Sequence, residues 1–179
     1  PAEVAYRPAR GERRRAQVVE TATVVGPAGE EIYVDPLGRI KVQFHWDRYG
    51  KNDESSSCWI RVAQAWAGAG WGFQFIPRIG MEVLVTFLGG DLDRPMVTGC
   101  VFNGEHPLPY ALPGQKTRSG IRTSSTPGND GSNELRFDDA KGREQVYVHA
   151  ERDYDQVVEN NRSDVTHGHE TRVVDKNRS

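Results

Sequence analysis

The sequence predicts an all-β protein, with a five-stranded barrel, an extended neck and a repetitive C-terminal segment, from three observations. Residues 18–102 contain short segments of alternating polar and apolar side chains, separated by glycine and proline. No segment has apolar residues spaced three and four apart, as an amphipathic helix requires. From Val157 onward an eight-residue pattern recurs, and repetition at a fixed period is typical of stacked structures.

Residues 18–106 are predicted to form the barrel. Residues 39–46 alternate polar and apolar side chains without a break and follow a Pro-Gly turn, which indicates a half-buried strand. Five short strands are enough for an OB-fold-like barrel, and an SH3-like barrel fits the strand count nearly as well. The other four predicted strands are residues 18–25, 58–64, 82–88 and 96–102. The expected barrel core is Ile40, Val42, Phe44, Ile60, Val62, Val83, Val85 and Phe87.

The chain between the barrel and the repeat divides into a connector and a neck. Residues 107–133 are rich in Pro, Gly, Ser, Thr and Asn, which predicts an extended connector without a core of its own. Residues 134–137 and 145–148 alternate on either side of a polar turn that contains glycine. This pattern predicts a β-hairpin, which we expect to form a neck of residues 134–156.

The octad repeat occupies residues 157–179, and valine opens each copy. Residues 150–179 contain twelve charged side chains and seven apolar ones, five of them valine. One chain of this composition cannot bury enough apolar surface to offset its ordering entropy, whereas several identical chains can bury their valines on a shared axis. The alternative is a chance repetition in a disordered tail. The expected axis residues are Val157, Val158, Val165, Val173 and Val174.

Composition argues against several classes of function. The net charge of -2 and the pI of about 6.3 give no general attraction to nucleic acid or to a membrane surface. Residues 1–16 hold five arginines, and a solvated arm is the expectation for so short a stretch. No apolar run approaches the ~20 residues that a membrane span requires. Cys58 and Cys100 lie in apolar, strand-like contexts and are expected to be free and buried.

No residues combine into an expected catalytic or cofactor site. The spacing of Gly68, Gly70 and Gly72 lacks the helix and acidic residue of a phosphate loop, so close packing or a barrel loop is expected there. Four tryptophans are expected to pack in the core or at an interface rather than to stack on bases. They are Trp46, Trp59, Trp66 and Trp71.

Titratable clusters are few in this sequence. His167 and His169 lie on one face of an expected strand and are weak metal candidates, because six imidazoles would approach a trimer axis if that face pointed inward. Valine occupies the better inward place in the octad, so we expect solvent-facing histidines and no bound metal. Two aspartate pairs fall in glycine-marked turns, where local backbone hydrogen bonds favour aspartate. They are Asp91 with Asp93 and Asp138 with Asp139.

Long motifs in the barrel and the neck resemble one protein family. The longest spans residues 29–48 and contains Asp35-Pro36-Leu37-Gly38-Arg39-Ile40-Lys41-Val42. Shorter ones lie at residues 58–62, 67–72 and 77–83, at positions between 89 and 103, and at 133–139 and 142–150. Together these motifs resemble the VgrG family, the spike proteins of the bacterial type VI secretion system.

The resemblance implies a homotrimer related to the spike of contractile phage tails, with an OB-fold collar above a three-chain β-helix needle. In that frame residues 1–17 are an arm leaving a missing base domain, and residues 157–179 are a truncated needle. The implied partners are the Hcp tube, a PAAR-type tip protein and secreted effectors or their adaptors. The implied life cycle is assembly in the bacterial cytoplasm, then ejection through target membranes. The octads depart from the family pattern at their fourth position, where the family has glycine. Only the second octad has glycine there, Gly168, and the first and third have Asn160 and Lys176.

The expected function is therefore mechanical and non-enzymatic, without a cofactor. Two alternatives stay open at this point. The first is an OB-fold binding module for single-stranded nucleic acid or oligosaccharide. The second is an enzyme acting on cell-wall glycan, and the lack of a paired acid in the sequence speaks against it.

Overall fold

The computed structural model describes residues 6, 8, 11, 15 and 17–175, and regular structure in that part of the chain is almost entirely β. A short 3-10 turn lies at Leu88–Gly90. Within these residues no helix has the length and apolar character needed to cross a membrane. Most of the arm expected at residues 1–17 lies outside the described residues. The strands are β1 (Val19–Val25), β2 (Lys41–Phe44), β3 (Arg61–Val62), β4 (Glu82–Phe87), β5 (Pro95–Val101), β6 (Arg118–Arg122), β7 (Glu134–Asp138) and β8 (Gln145–His149).

The first five strands form one curled sheet in the order β2-β1-β4-β5-β3. All neighbours in this sheet are antiparallel except β3 and β5, which run parallel. Ile40 and Ile60 bring the two sheet edges together by exchanging backbone hydrogen bonds of 2.9 and 2.8 Å. The strands therefore follow one another around a barrel as β1-β2-β3-β5-β4.

This order distinguishes between the two barrels that the strand count allowed. The last strand of the barrel, β5, crosses over to pair in parallel with β3, as in the Greek-key barrel of the OB-fold. A barrel closed only by antiparallel neighbours, such as the SH3-like alternative, lacks this pair. The prediction of an all-β chain with an OB-fold-like barrel is confirmed.

Branched aliphatic side chains fill the barrel interior. Strand alternation points one side of each strand inward, and full burial of a valine or isoleucine side chain contributes about 1.5–3 kcal/mol. Five of the eight expected core residues are fully buried, and Phe44, Val62 and Phe87 are partly buried against them. Three residues of the buried cluster were not expected from the sequence, and two of them are on β1. The complete buried cluster is Ala22, Val24, Ile40, Val42, Ile60, Val83, Val85 and Val97.

Several strands are shorter than the alternating patterns that predicted them. β2 ends at Phe44, where a turn follows and the Asp47 N–H donates to the Phe44 carbonyl at 3.1 Å. β3 comprises only Arg61 and Val62, although alternation continued to Gln64. The alternation of polar and apolar residues indicates which side chains face the core. The length of a strand depends instead on how many residues of a neighbouring strand are there to pair with it.

The turn predicted before β2 is present. Asp35 Oδ1 accepts the backbone N–H groups of Leu37 and Arg39 at 3.0 and 2.8 Å. Its Oδ2 accepts a 2.6 Å hydrogen bond from Arg39 Nε. Gly38 has a φ of +71°, a left-handed conformation that glycine adopts without a steric penalty.

The neck is a three-stranded antiparallel sheet in the order β6-β7-β8. β7 and β8 form the hairpin predicted from the sequence, with a turn through Gly142 at φ +80°. β6 was not predicted, because it lies within residues 107–133, which we expected to be an extended connector. Ile121 is its single large apolar residue, so its strand character follows from its pairing with β7.

The octad segment forms no strand or helix in the part that the structure describes, up to Asp175. All side chains of residues 151–175 are exposed. The single chain therefore leaves all five octad valines exposed to solvent.

Candidate functional site

The polar face of the neck sheet is covered and paired within the chain. Arg136 Nη1 lies 3.0 Å from Glu134 Oε1, and its guanidinium stands 4.3 Å from the centre of the Tyr147 ring. Arg118 forms an ion pair with Asp138 at 3.0 Å. The Thr117 hydroxyl, and then Arg118, hold the pKa of Asp138 below its ordinary value. These contacts pair Arg136 and Arg118 within the chain, although Arg136 Nε is buried without a hydrogen-bond partner.

The opposite face of the neck sheet is apolar and open. The strand register places Ile121, Leu135 and Val148 in one row, and Phe137 beside Val146 in the next. Their exposed fractions are 48, 40 and 57% in the first row and 40 and 67% in the second. Contiguous exposed apolar groups of this kind mark an interaction surface. We call these five residues the apolar neck face.

A shallow groove of about 470 Å³ lies at one end of the apolar neck face. Ile121, Leu135 and Val148 line it from the sheet, and Tyr154 and Asp155 line it from the segment that follows β8. Glu134 and His149 also line the groove from the sheet, and Asp153 lines it from the following segment, so its lining is mixed in character.

The five valines expected on the trimer axis are exposed in the single chain. The valines that open the octads, Val157, Val165 and Val173, have 74–82% of their surface exposed. Val158 and Val174 are exposed to 45 and 51%. The position of these valines on a trimer axis stays a prediction. Their exposure means that their apolar surface is in contact with water in the single chain.

A tight hairpin carries the three glycines that the sequence analysis singled out, Gly68, Gly70 and Gly72. Its tip is closed by the Gly68 N–H, which donates to the Trp71 carbonyl at 2.9 Å. The Phe73 N–H donates to the Trp66 carbonyl at 2.8 Å. A Cβ at Gly72 would collide with that same carbonyl oxygen. Gly68 and Gly72 therefore permit close packing at this hairpin, and Gly70 has a φ of +81°, which glycine adopts without a steric penalty.

Three of the four tryptophans lie on the surface of the single chain, so they do not pack in the core, which was one of the two places expected for them. Trp66 and Trp71 pack edge to face at the hairpin, with ring centres 4.8 Å apart. Trp46 stacks on Phe44 at 5.2 Å, and Trp59 is half-buried. The narrow barrel is filled by valine and isoleucine, which leaves no room for indole rings. A role of the exposed tryptophans at an interface stays a prediction.

Cys58 and Cys100 are free, and both are exposed, so their expected burial is wrong. Apolar neighbours in the sequence indicated strands at these positions. They did not indicate which face of the strand each side chain occupies, because successive side chains point to opposite faces.

The titratable candidates are not gathered into a metal site. Among the residues that the structure describes, no three His, Cys, Asp or Glu side chains come close enough to share a metal ion. His167 and His169 are exposed. The aspartates act in turns, since Asp91 Oδ1 accepts the Asp93 N–H at 3.1 Å and Asp138 Oδ1 accepts the Ala140 N–H at 3.2 Å.

The barrel and the neck are connected through Glu31, in the loop between β1 and β2. Its carboxylate accepts hydrogen bonds from the Thr126 hydroxyl at 2.6 Å and from the Gly128 N–H at 2.8 Å. The Thr126 hydroxyl, then the Gly128 amide and more weakly the positive charge of Arg78, hold the pKa of Glu31 below its ordinary value. The loop between β6 and β7 is thereby held against the barrel.

Sequence analysis missed the apolar neck face as a site. The signal was available, because Leu135, Phe137, Val146 and Val148 occupy alternate positions of the predicted hairpin. A hairpin with one wholly apolar face must cover that face in order to be stable in water. The strand that was not predicted is β6, which adds Ile121 to the same face and makes the face wider.

Two family models match the chain. The type VI secretion system/phage-baseplate injector OB domain matches residues 22–102, which include nearly all of the five barrel strands. The C-terminal trimerisation domain of bacteriophage T4 gp5 matches residues 119–179, which include the neck sheet and the octads. The two matches divide the chain where the structure changes from the barrel to the neck.

Several curated proteins are similar to nearly the whole chain. The type VI secretion system spike protein VgrG4b of Pseudomonas aeruginosa is 54% identical over 172 residues, 95% of this chain and 21% of that protein. VgrG1a of the same organism is 56% identical over 146 residues, 80% of this chain and 23% of that protein. The actin cross-linking toxin VgrG1 of Vibrio cholerae is 52% identical over 139 residues, 78% of this chain and 13% of that protein. The chain thus spans less than a quarter of the length of each of these relatives.

Proposed function

Because the chain belongs to the VgrG family of type VI secretion spike proteins, we propose that it supplies the collar and first needle turns of a homotrimeric puncturing spike. The observation that carries the proposal is the exposure of all five octad valines within a match to a trimerisation domain. One chain leaves these valines in water, and three chains arranged around an axis would cover them.

The proposed mechanism is mechanical. A closed barrel packed with branched aliphatic side chains deforms little, because protein interiors are close-packed. A slender needle on a threefold axis concentrates the force transmitted through the collar onto a small area of membrane. Such a device needs rigidity and docking surfaces and no catalytic group, so we propose that this part of the protein is non-enzymatic. A toxin relative is compatible with this, since the matched segment is 13% of that protein.

The proposed partners follow from the same role. The collar would stand on the Hcp tube, and the distal needle would carry a PAAR-type tip and secreted effectors or their adaptors. The spike would assemble in the bacterial cytoplasm and be ejected into the target cell or the medium. The proposed domain division is collar at residues 18–106, connector at 107–133, neck at 134–156 and needle at 157–179, with residues 1–17 leading from a base domain.

The alternative of an OB-fold module for single-stranded nucleic acid or oligosaccharide has less support. The relatives named above are called spike proteins or a toxin, and none is named for nucleic-acid binding. The net charge of -2 also supplies no excess of cations for neutralising phosphates.

The molar mass in solution tests the proposal. Each chain has a mass of 20.0 kDa, so three times 20.0 gives 60 kDa for a trimer. We expect light scattering to give that mass for this chain, or for this chain with further copies of its own octad added. A mass of one chain for both proteins would overturn the proposal.

A further inference from the structure

The sequence contains a single Asn-Gly pair, Asn103-Gly104, at the point where the chain leaves the barrel. The last barrel strand, β5, ends at Val101, two residues earlier. An asparagine followed by glycine is prone to lose its side-chain amide, because glycine has no Cβ to keep the asparagine side chain away from its backbone nitrogen. Gly104 is exposed, and a Cβ on it would meet no atom within 4 Å, so the surroundings of the glycine add no shield.

The side chain of Asn103 is held at both of its polar atoms. Its Nδ2 donates to Glu82 Oε2 at 2.7 Å, at the start of β4. Its Oδ1 accepts the backbone N–H groups of Glu105 and His106 at 3.0 and 2.8 Å. The backbone N–H of Asn103 donates to the His106 carbonyl at 3.1 Å and closes the turn. Asparagine commonly organises a turn through such local hydrogen bonds.

We propose that Asn103 is a latent deamidation site. Its hydrogen bonds to Glu82 and within the turn preserve the amide while the turn is closed, and opening of the turn starts its conversion to aspartate and isoaspartate. This inference does not depend on the proposed spike function, because it concerns the chemistry of one side chain at the end of the barrel.

The reaction uses only the chain and water. The Gly104 backbone nitrogen forms a bond to Cγ of Asn103, the Cγ–Nδ2 bond breaks, and Nδ2 leaves as ammonia with the proton that the Gly104 nitrogen gives up. The resulting cyclic imide takes up water, and opening at either of its carbonyl groups gives aspartate or isoaspartate at position 103. The net change converts an amide and water into a carboxylic acid and ammonia.

The closed turn opposes the first step at both polar atoms of the amide. Attack on Cγ requires the face of the amide to turn towards the Gly104 nitrogen, which moves Oδ1 away from the N–H groups of Glu105 and His106. Departure of Nδ2 breaks its hydrogen bond to the Glu82 carboxylate, and a bond to an ionised acceptor is stronger than one between neutral groups. A reaction that requires an opened segment is slowed in proportion to the small fraction of molecules in which that segment is open.

The product opposes closure of the turn again. An ionised carboxylate at position 103 has no N–H to donate, and it stands beside the Glu82 carboxylate in the place of the amide. Like charges at hydrogen-bond distance repel each other. Glu82 pairs with Val101 at the end of the β4–β5 ladder, so the repulsion acts where these two barrel strands begin and end.

Peptide mapping by mass spectrometry measures the conversion in the full chain. The chain is kept at mildly alkaline pH, folded or in guanidinium chloride, and the peptide that contains Asn103 is followed with time. We expect conversion at least about tenfold slower in the folded chain, because the turn must open first. Gly104→Ala should slow conversion in the denaturant, since its Cβ hinders the attacking nitrogen. Equal rates in the folded and denatured wild type would overturn the inference.

Two substitutions test the part that Glu82 takes in this protection. Glu82→Ala removes the acceptor of Nδ2, whereas Glu105→Ala removes an exposed carboxylate and keeps the backbone N–H that the turn uses. We expect the folded Glu82→Ala variant to convert several-fold faster than the wild type and Glu105→Ala to convert at the wild-type rate. Circular dichroism checks that both variants are folded. Wild-type conversion in a folded Glu82→Ala variant would remove Glu82 from the inference.

The effect of the product is tested without waiting for the reaction. Asn103→Asp should lower the melting temperature by several degrees, because the donor to Glu82 is replaced by a like charge. Glu82→Gln in the same chain should restore most of this loss, since the glutamine Nε2 can then donate to the carboxylate, and the two single variants with the double variant form a cycle that isolates the contact. An Asn103→Asp variant that melts with the wild type would show that the product leaves the turn closed, against the inference.

Discussion

The carboxylate of Glu31 accepts a 2.6 Å hydrogen bond from the hydroxyl of Thr126, which lies ninety-five residues later in the chain. A second bond, from the Gly128 N–H at 2.8 Å, makes Glu31 a two-point anchor for the loop between β6 and β7. The barrel and the neck sheet have separate strand systems, so side-chain contacts of this kind limit their relative motion. A spike that passes force from collar to needle requires such a connection.

Glu31→Gln is expected to loosen the loop between β6 and β7 without unfolding the barrel. The amide keeps one acceptor oxygen, but it loses the charge that strengthens both hydrogen bonds. Hydrogen exchange of the Gly128 amide should therefore be several-fold faster in the variant. Glu30→Gln is the matched control, since Glu30 is the exposed neighbour, and its exchange should equal that of the wild type.

The anchor should also depend on pH in a defined direction. The folded-state pKa of Glu31 is lower than its ordinary value of 4.5, chiefly because of the Thr126 hydroxyl. Its contribution is therefore fully present above about pH 4.5 and is lost as the pH falls through the lower, folded-state pKa. The ratio of Gly128 exchange rates in Glu31→Gln and wild type should approach one at the acid end of a titration. A ratio independent of pH would contradict the assignment.

Ile60→Ala is expected to destabilise the barrel by about 2–5 kcal/mol, the usual cost of emptying a fully buried isoleucine site. Ile60 is 1% exposed and its backbone closes the barrel by pairing with Ile40. Urea denaturation followed by tryptophan fluorescence measures the change. Leu37→Ala, at a position 75% exposed, should change the free energy of unfolding by less than about 0.5 kcal/mol.

The barrel could be predicted from the sequence because apolar residues recur at every second position, which is the period at which side chains of a strand face the core. Val42, Val83 and Val85 each alternate with more polar or less buried neighbours, so their inward direction is visible in the sequence. Val97 was missed, because its strand carries Pro95, Gly99 and a register shift that disturb the alternation. Strand order was not predictable either, since the parallel β3–β5 pair depends on the path of the whole chain.

The candidate site was less predictable than the barrel. The octad valines were found because they repeat, whereas β6 has one large apolar residue and no repeat. Its strand character depends on backbone pairing with β7, a contact between residues distant in sequence that composition does not report. The burial expected for Cys58 and Cys100 was wrong for a related reason, since apolar neighbours in the sequence do not show which face of a strand is turned to water.

Gly72→Ala is expected to disrupt the hairpin between Trp66 and Phe73. Gly72 has a φ of +138°, and a Cβ there would collide with the Trp66 carbonyl oxygen. The edge-to-face pair of Trp66 and Trp71 should separate, which would change the tryptophan near-ultraviolet circular dichroism. Gly104→Ala is the control, because a Cβ at Gly104 meets no atom within 4 Å. An unchanged spectrum for Gly72→Ala would show that the hairpin tolerates a side chain.

Val165→Asp tests whether the octad valines lie on a shared axis. Val165 is 74% exposed in the single chain, so in a monomer the substitution should leave stability almost unchanged. In a trimer with Val165 inward it buries three unpaired carboxylates, which is strongly unfavourable. We expect the trimer to melt at least roughly 5 °C lower, since about 1 kcal/mol corresponds to several degrees.

The control for Val165→Asp is Asn161→Asp, which adds the same charge at a polar octad position and should leave the trimer unchanged. Calorimetry gives the melting temperature and light scattering the mass. Val165→Asp should lower the melting temperature of the trimer, whereas Asn161→Asp should not. An unchanged melting temperature and mass would remove Val165 from the axis, because a buried carboxylate cannot be neutral in its effect.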